Sequence, residues 1–190
     1  MKKNSKAMFL AEGAMMIAMA TLLSYIKVHE LPMGGSITAF SQVPIVLFGY
    51  HRGVKKGLFI GVVHGLLQML MQGLGNFAYV KGIGSYLILI LMDYLVAFAV
   101  LGLGGALFRK MKNRALGVGL GAAAASAMRF ICHFISGVTI WGEYADGWAG
   151  VWIYSLTYNG SYMLAECIVT IVGVAALISV PQIRKLLVEE

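Results

Sequence analysis

Ser85-Tyr-Leu-Ile-Leu-Ile-Leu-Met-Asp-Tyr-Leu-Val-Ala-Phe-Ala-Val-Leu-Gly-Leu-Gly-Gly-Ala-Leu-Phe108 carries a single charge, Asp93, and stops at the basic cluster Arg109-Lys-Met-Lys-Asn-Arg114. A run of about 20 apolar residues crosses a bilayer as a helix, and Arg and Lys at its end mark the cytoplasmic boundary. The rest of the chain repeats this pattern. Hydrophobic residues make up 59% of the 190, and Asp, Glu, Lys and Arg together 12%; a soluble domain is about a quarter charged. Six crossings of about 20 residues use roughly 120, which leaves loops and ends but no room for a soluble catalytic domain. Disorder and a nucleic-acid module are excluded, and the formal net charge of +7 is read against the membrane first.

The chain divides into one six-helix membrane domain over residues 1–190. Span 1 runs from about Met8 to Val28 and is followed by His29-Glu-Leu-Pro-Met-Gly-Gly-Ser36. Span 2, about Ile37 to Tyr50, is short and includes Pro44, so a broken or tilted helix is expected. Span 3, Gly57 to Gln72, leads into the glycine-punctuated Gly73-Leu-Gly-Asn-Phe-Ala-Tyr-Val-Lys-Gly82. Span 4 is the opening stretch. Span 5 covers about Gly117 to Ile140, and span 6 about Trp152 to Val180, stopping at Pro181 and a short tail with Arg184 and Lys185. The amino terminus imitates a secretory signal, but the apolar run continues through Ile26 and five spans follow, so the first helix is read as retained. Cys132 and Cys167 lie in apolar stretches and read as small buried hydrophobes.

Basic residues set the orientation. Lys2, Lys3 and Lys6, then Arg52, Lys55 and Lys56, then Arg109, Lys110, Lys112 and Arg114, and finally Arg184 and Lys185 put 12 of the 15 on one side. Lys27 and Lys81 fall on the other, and Arg129 lies inside a span. The positive-inside rule then places both termini in the cytoplasm. On the opposite face the loops are glycine-rich and aromatic, with Tyr79, Trp141, Tyr144 and Trp148. An interfacial aromatic belt accounts for such residues; a lid over an outward-facing pocket is the sharper reading, favoured by Glu143 and Asp146 in the fifth loop.

Ionisable residues inside spans are the most informative, since each costs about 2.5–3.5 kcal/mol at a helix centre on insertion scales. Glu12 lies near the cytoplasmic start of span 1, where it reaches water. His64 reads as a packed, hydrogen-bonded core histidine. Arg129 and His133 are four apart and share a helix face. Asp93 is either paired with Arg129 or bonded to a neighbouring helix, or it is a carboxylate awaiting a cationic ligand. Span 6 adds Tyr154, Tyr158, Tyr162 and Glu166 at four-residue spacing, with Asn159 beside them. Aromatic faces attract cations, and this collection near one membrane face suits a flat, nitrogen-rich molecule.

His133-Phe-Ile-Ser-Gly137, then Trp141, Gly147 and Tyr154-Ser-Leu-Thr-Tyr-Asn-Gly-Ser-Tyr-Met163, with Asp93-Tyr-Leu-Val-Ala-Phe98 upstream, closely resemble the thiamine-specific S-component of energy-coupling factor (ECF) vitamin transporters. Gly34-Gly-Ser-Ile-Thr38 and Pro44-Ile45 extend the resemblance over nearly the whole chain. It implies an all-α integral membrane fold of six helices and a bacterial plasma membrane location. It also implies an outward-facing pocket that captures extracellular thiamine, and delivery with a separate coupling protein and two ATPases. Carried over, Asp93 hydrogen-bonds the aminopyrimidine and offsets the thiazolium charge, with Tyr94 following it in the motif. His133 and Trp141 supply flat surfaces, Tyr154 and Asn159 bond the pyrimidine edge, and Tyr79 contributes from loop three. Ala14 and Ala18 form the small-xxx-small face through which the coupling protein approaches. The resemblance implies thiamine as the ligand, and calls for no cofactor, metal or nucleic acid. Some members carry Glu where this chain has Asp93, and an aromatic in loop one where it has Gly34 and Gly35.

Two other readings differ in what they require. An S-component for another vitamin, such as riboflavin, would take a neutral ligand that has no need of the carboxylate. An intramembrane serine protease would use Ser136 before Gly137, but position 134 is Phe where Gly is needed, and His133 is on the same helix. The sequence contains no Gly-x4-Gly-Lys-Ser/Thr loop for nucleotide phosphates, and no nucleophile–base pair argues for an enzyme.

Overall fold

Five helices among the described residues are long and apolar enough to cross a membrane: α1 (Lys6–Ser24), α3 (Val54–Ala78), α4 (Ile83–Leu107), α5 (Arg114–Thr139) and α6 (Val151–Ser179). They come from a computed structural model, which describes residues 6–188. The helices turn large apolar side chains outward. α6 exposes Leu156, Leu164, Ile168 and Val172 while it buries Ser155, Asn159, Glu166 and Thr170. A helix of a soluble protein does the reverse; surrounding hydrocarbon demands this arrangement, because polar groups must find partners inside the bundle.

The second crossing differs most from the sequence reading. α1 ends at Ser24, four residues short of Val28, and Lys27–Glu30 (β1) pairs antiparallel with Ser36–Thr38 (β2). The all-α membrane fold thus carries one small hairpin, where the β-branched Val28, Ile37 and Thr38 suit the extended backbone. The helix that follows, α2 (Val43–Arg52), has ten residues, about 15 Å at 1.5 Å per residue, half of a hydrocarbon core of about 30 Å. Pro44 starts this helix instead of breaking it, since the first turn has no use for its missing N–H. Every residue from Val43 to Tyr50 is buried. β2 and α2 together return the chain to the end where Arg52 bonds Glu12 of α1.

Loop three is also shorter than its glycines imply. α3 widens into a π turn over Met69–Gly73 and tightens into a 3-10 turn over Leu74–Ala78, so the segment from Gly73 is helical to Ala78. α4 widens similarly over Leu89–Val96, the stretch that holds Asp93. The tail after Pro181 is an eight-residue helix, α7 (Pro181–Val188). His51 Nδ1 lies 3.4 Å from the carbonyl of Leu187 in it.

Close backbone approach holds the centre. A Cβ on Gly102 of α4 would overlap the carbonyl of Gly57 of α3, and one on Gly49 of α2 the carbonyl of Gly102. Small residues permit this where no hydrophobic force drives helices together in lipid. The basic residues of two loops meet at one end: Arg109 Nη2 donates to the carbonyl of His51 at 3.4 Å, and Arg114 to the carbonyl of Arg109. Lys2 and Lys3 lie outside the described residues. Cys132 is buried, Cys167 half-buried, and both are free.

Candidate functional site

Asp93 sits in the π-helical part of α4, a distortion that recurs at functional sites. Three donors converge on its carboxylate. His133 Nδ1 lies 3.0 Å from Oδ1, while Ser136 Oγ and Trp141 Nε1 donate to Oδ2 at 2.8 and 3.0 Å. The first two come from successive turns of one face of α5, and Trp141 from the turn just past its end. This carboxylate does not pair with Arg129, which settles that alternative. Hydrogen bonds of this kind replace the water that a carboxylate loses on burial.

The carboxylate borders a cavity of about 170 Å³. Asp93, Tyr94, His133, Trp141, Tyr154 and Asn159 all line it. Tyr79 is not among the lining residues; half-exposed, it stands behind Trp141, with ring centroids 6.3 Å apart, and its carbonyl accepts the hydroxyl of Tyr144 at 2.9 Å. Tyr94 Oη accepts from Asn76 Nδ2 at 2.9 Å. Asn159 donates to the carbonyls of His133 and Ser155, and its Oδ1 accepts the Tyr162 hydroxyl at 3.1 Å. Ala14 and Ala18 are both exposed on α1, far along the chain from these residues and outside the lining.

The hairpin roofs the cavity. Met33, Gly34, Gly35 and Ser36 line it from above, and the exposed pair Lys27–Glu30, 2.5 Å apart, stands at its rim. Tyr158 anchors the roof, its hydroxyl accepting the Gly35 N–H at 3.1 Å and donating to the carbonyl of Pro32. A Cβ on Gly35 would come within 2.9 Å of both Tyr158 and Tyr162, so only glycine lets the strand lie this close. Glu166, the last member of the tyrosine stripe, faces away from the ligand space and holds Thr38 and Gln42 instead.

Several residues were not anticipated. Gln68 and Gln72 line the cavity and both donate to Ser24 of α1, at 3.0 and 2.6 Å; two glutamines four apart in an apolar span were the available signal. Arg129 lines the floor, its guanidinium carbon 4.7 Å from the Phe98 ring centroid. Glu12 does not simply reach water but receives two bonds from Arg52. His64 is packed as expected, 3.4 Å from Thr21 Oγ1. Ser136 is fully buried and its hydroxyl donates a hydrogen bond to Asp93, not to an imidazole, so the serine, histidine and aspartate meet without the nucleophile–base bond a protease requires.

A sequence model of a family described as thiamine transporter protein matches residues 10–185. The thiamine transporter ThiT of Bacillus subtilis is 32% identical over 180 residues, 89% of each chain. ThiT of Lacticaseibacillus paracasei is 28% identical over 193 residues, covering 96% of this chain and 93% of its own. A solved structure of ThiT from Listeria monocytogenes has the same fold, with a TM-score of 0.77 at 24% identity over 95% of this chain and 98% of that one.

Proposed function

The chain belongs to the thiamine transporter protein family, and from that premise we propose how it takes its ligand. It is a multi-pass protein of the bacterial plasma membrane and a thiamine-specific S-component by kinship. The cavity under the hairpin is the thiamine site. The observation that carries this reading is the buried Asp93 carboxylate facing a cavity walled by Tyr94, His133, Trp141 and Tyr154. Thiamine has a fixed positive charge and two flat rings, so a desolvated carboxylate between aromatic faces complements it. Asp93 also accepts from the aminopyrimidine, Tyr154 and Asn159 bond its edge, and Tyr79 braces Trp141 from loop three.

The cavity opens to the extracellular side, and the chain crosses as one six-pass domain with both termini cytoplasmic. The meeting of Arg52, Arg109 and Arg114 at one end supports that orientation. Delivery uses an ECF coupling protein and two ATPases, which supply the nucleotide site that this sequence lacks. Exposed Ala14 and Ala18 on α1 support an approach by a partner helix there.

Titration of the detergent-purified protein with thiamine, followed by tryptophan fluorescence, tests the site. Saturable quenching at submicromolar thiamine is expected. Asp93→Asn should weaken it at least thirtyfold, ~2 kcal/mol, the lower end for uncovering one partner of a buried charge pair. Equal binding by both proteins would leave Asp93 a structural residue. Silence from both would remove thiamine from this cavity.

A further inference from the structure

Gln68 and Gln72 stand one turn apart on α3, on the wall of the ligand cavity, and both meet Ser24 of α1. The one hydroxyl proton of Ser24 goes to the carbonyl of Thr21 at 2.7 Å, so its oxygen is left only to accept. Both glutamines must therefore present their amide nitrogens to it, Gln68 at 3.0 Å and Gln72 at 2.6 Å. The other N–H of Gln72 goes to Gln68 Oε1 at 3.1 Å. This fixes which end of the Gln72 amide is which. Its two hydrogens are spent, while its Oε1 has no donor among the described residues and is not sealed in the protein. A carbonyl within a membrane-spanning segment needs a partner, and here the open space beside it is the cavity.

Other acceptors around the cavity have their donors. Asp93 holds three, Asn159 Oδ1 takes the Tyr162 hydroxyl, and Glu30 pairs with Lys27 at the rim. The Asn76 amide, one turn beyond Gln72, lies against Gly34 in the roof. Tyr154 and Asn159 stand on α6, so a ligand whose pyrimidine edge lies there extends its other end toward the wall that α3 supplies. In thiamine that end is the hydroxyethyl arm of the thiazolium, and its alcohol has one proton to donate. We propose that Gln72 Oε1 accepts this proton, which makes Gln72 the residue that selects a ligand ending in an alcohol. Ser24 and Gln68 act through it, because they hold its amide with the carbonyl free. This rests on the thiamine reading above.

The test is calorimetric titration of the detergent-solubilised full chain with two ligands: thiamine, and its analogue with fluorine in place of the hydroxyl. Fluorine has about the size of the hydroxyl and no proton to give. The parent is expected to bind the analogue about tenfold more weakly, since a buried acceptor loses its donor. In Gln72→Met, which keeps the length of the side chain and removes the carbonyl, the two affinities should come within about twofold of each other. Gln72→Glu puts a charged acceptor at the same place and should widen the preference beyond the parent's, because hydrogen bonds to charged groups are stronger. A purely structural role for Gln72 would weaken both ligands alike and leave their ratio untouched. Equal affinity of the parent for both ligands, or an unchanged ratio in either variant that folds, overturns the proposal. Absence of thiamine binding by the parent would instead remove the ligand reading itself, so the two failures are distinguishable.

Discussion

Glu166, midway along α6, accepts both the backbone N–H and the hydroxyl of Thr38, the last residue of β2, the hydroxyl at 2.6 Å. Its other oxygen accepts Gln42 Nε2 at 2.8 Å, just before α2 begins. A carboxylate only 2% exposed thus ties down the strand at the point where it turns into helix. Tyr158, two turns nearer the start of α6, holds the same hairpin at Gly35 and Pro32. The roof of the cavity is therefore fastened to one helix at two heights.

Glu166→Leu leaves the Thr38 N–H and hydroxyl and the Gln42 amide without their acceptor. The expected cost is about 1–3 kcal/mol, that of an unsatisfied buried polar group, read as a lower melting temperature in detergent. Thiamine should also dissociate faster in a chase experiment, because Met33 to Ser36 lose their lower anchor. Parent-like melting and release together would show that the clamp at Thr38 is dispensable.

The carboxylate of Asp93 is oriented from α5. Ser136→Ala removes one of its donors without altering the volume much, and a hydrogen bond to a charged acceptor contributes about 1.5–3 kcal/mol. Thiamine affinity is expected to fall about tenfold or more, with the far-ultraviolet circular dichroism unchanged. Undiminished affinity would mean that His133 and Trp141 alone hold the carboxylate.

The crossings from span 3 onward were legible because each apolar run begins or ends at a basic cluster or stops at Pro181, and the basic clusters follow the lipid and its charge asymmetry. Asp93, His133 and Trp141 stood out for the same reason, as polar groups in or beside apolar surroundings. The hairpin did not stand out. Tyr25 and Ile26 continue the apolar run of α1 up to the edge of the hairpin, and strands of four and three residues are too short for alternation to register. Gly73 and Gly75 read as loop residues, yet Gly73 is glycine because the Tyr94 ring occupies the space a side chain would need. Nothing local announces that Glu166 answers a backbone N–H 128 positions away, or that α4 widens around Asp93.

Helix packing offers a contrast within one chain. Gly102→Ala drives a methyl into the backbone of α3, which has no flexible side chain to yield, and overpacking of this kind costs about 1–3 kcal/mol. Gly160, in α6, has nothing within 4 Å of an added Cβ, so Gly160→Ala should gain up to about 1 kcal/mol of helix propensity. Thermal unfolding in detergent should therefore move down for the first variant and stay level or rise for the second. Movement in the same direction by both would show that the close approach of α3 and α4 is not a tight constraint.

On the proposed reading, coupling to a transport partner is separable from binding, because Ala14 and Ala18 lie outside the cavity lining. Ala14 and Ala18 are exposed on α1, four residues apart, whereas the face that packs inward carries Gly13, Ile17 and Ala20. Two small residues at this spacing let a second helix come close, and a bulky side chain there holds it off. The link from α1 to the cavity runs through its other end, where Ser24 accepts from Gln68 and Gln72, so a change at Ala14 or Ala18 leaves that contact in place. Ala18→Trp should accordingly bind thiamine with the parent's affinity in detergent. Thiamine uptake by cells that depend on it, with the coupling protein and ATPases present, is expected to fall at least tenfold. Uptake at the parent's level would place the coupling surface elsewhere on the bundle. Loss of binding and uptake together would mean that α1 positions the cavity and does not only present it to a partner.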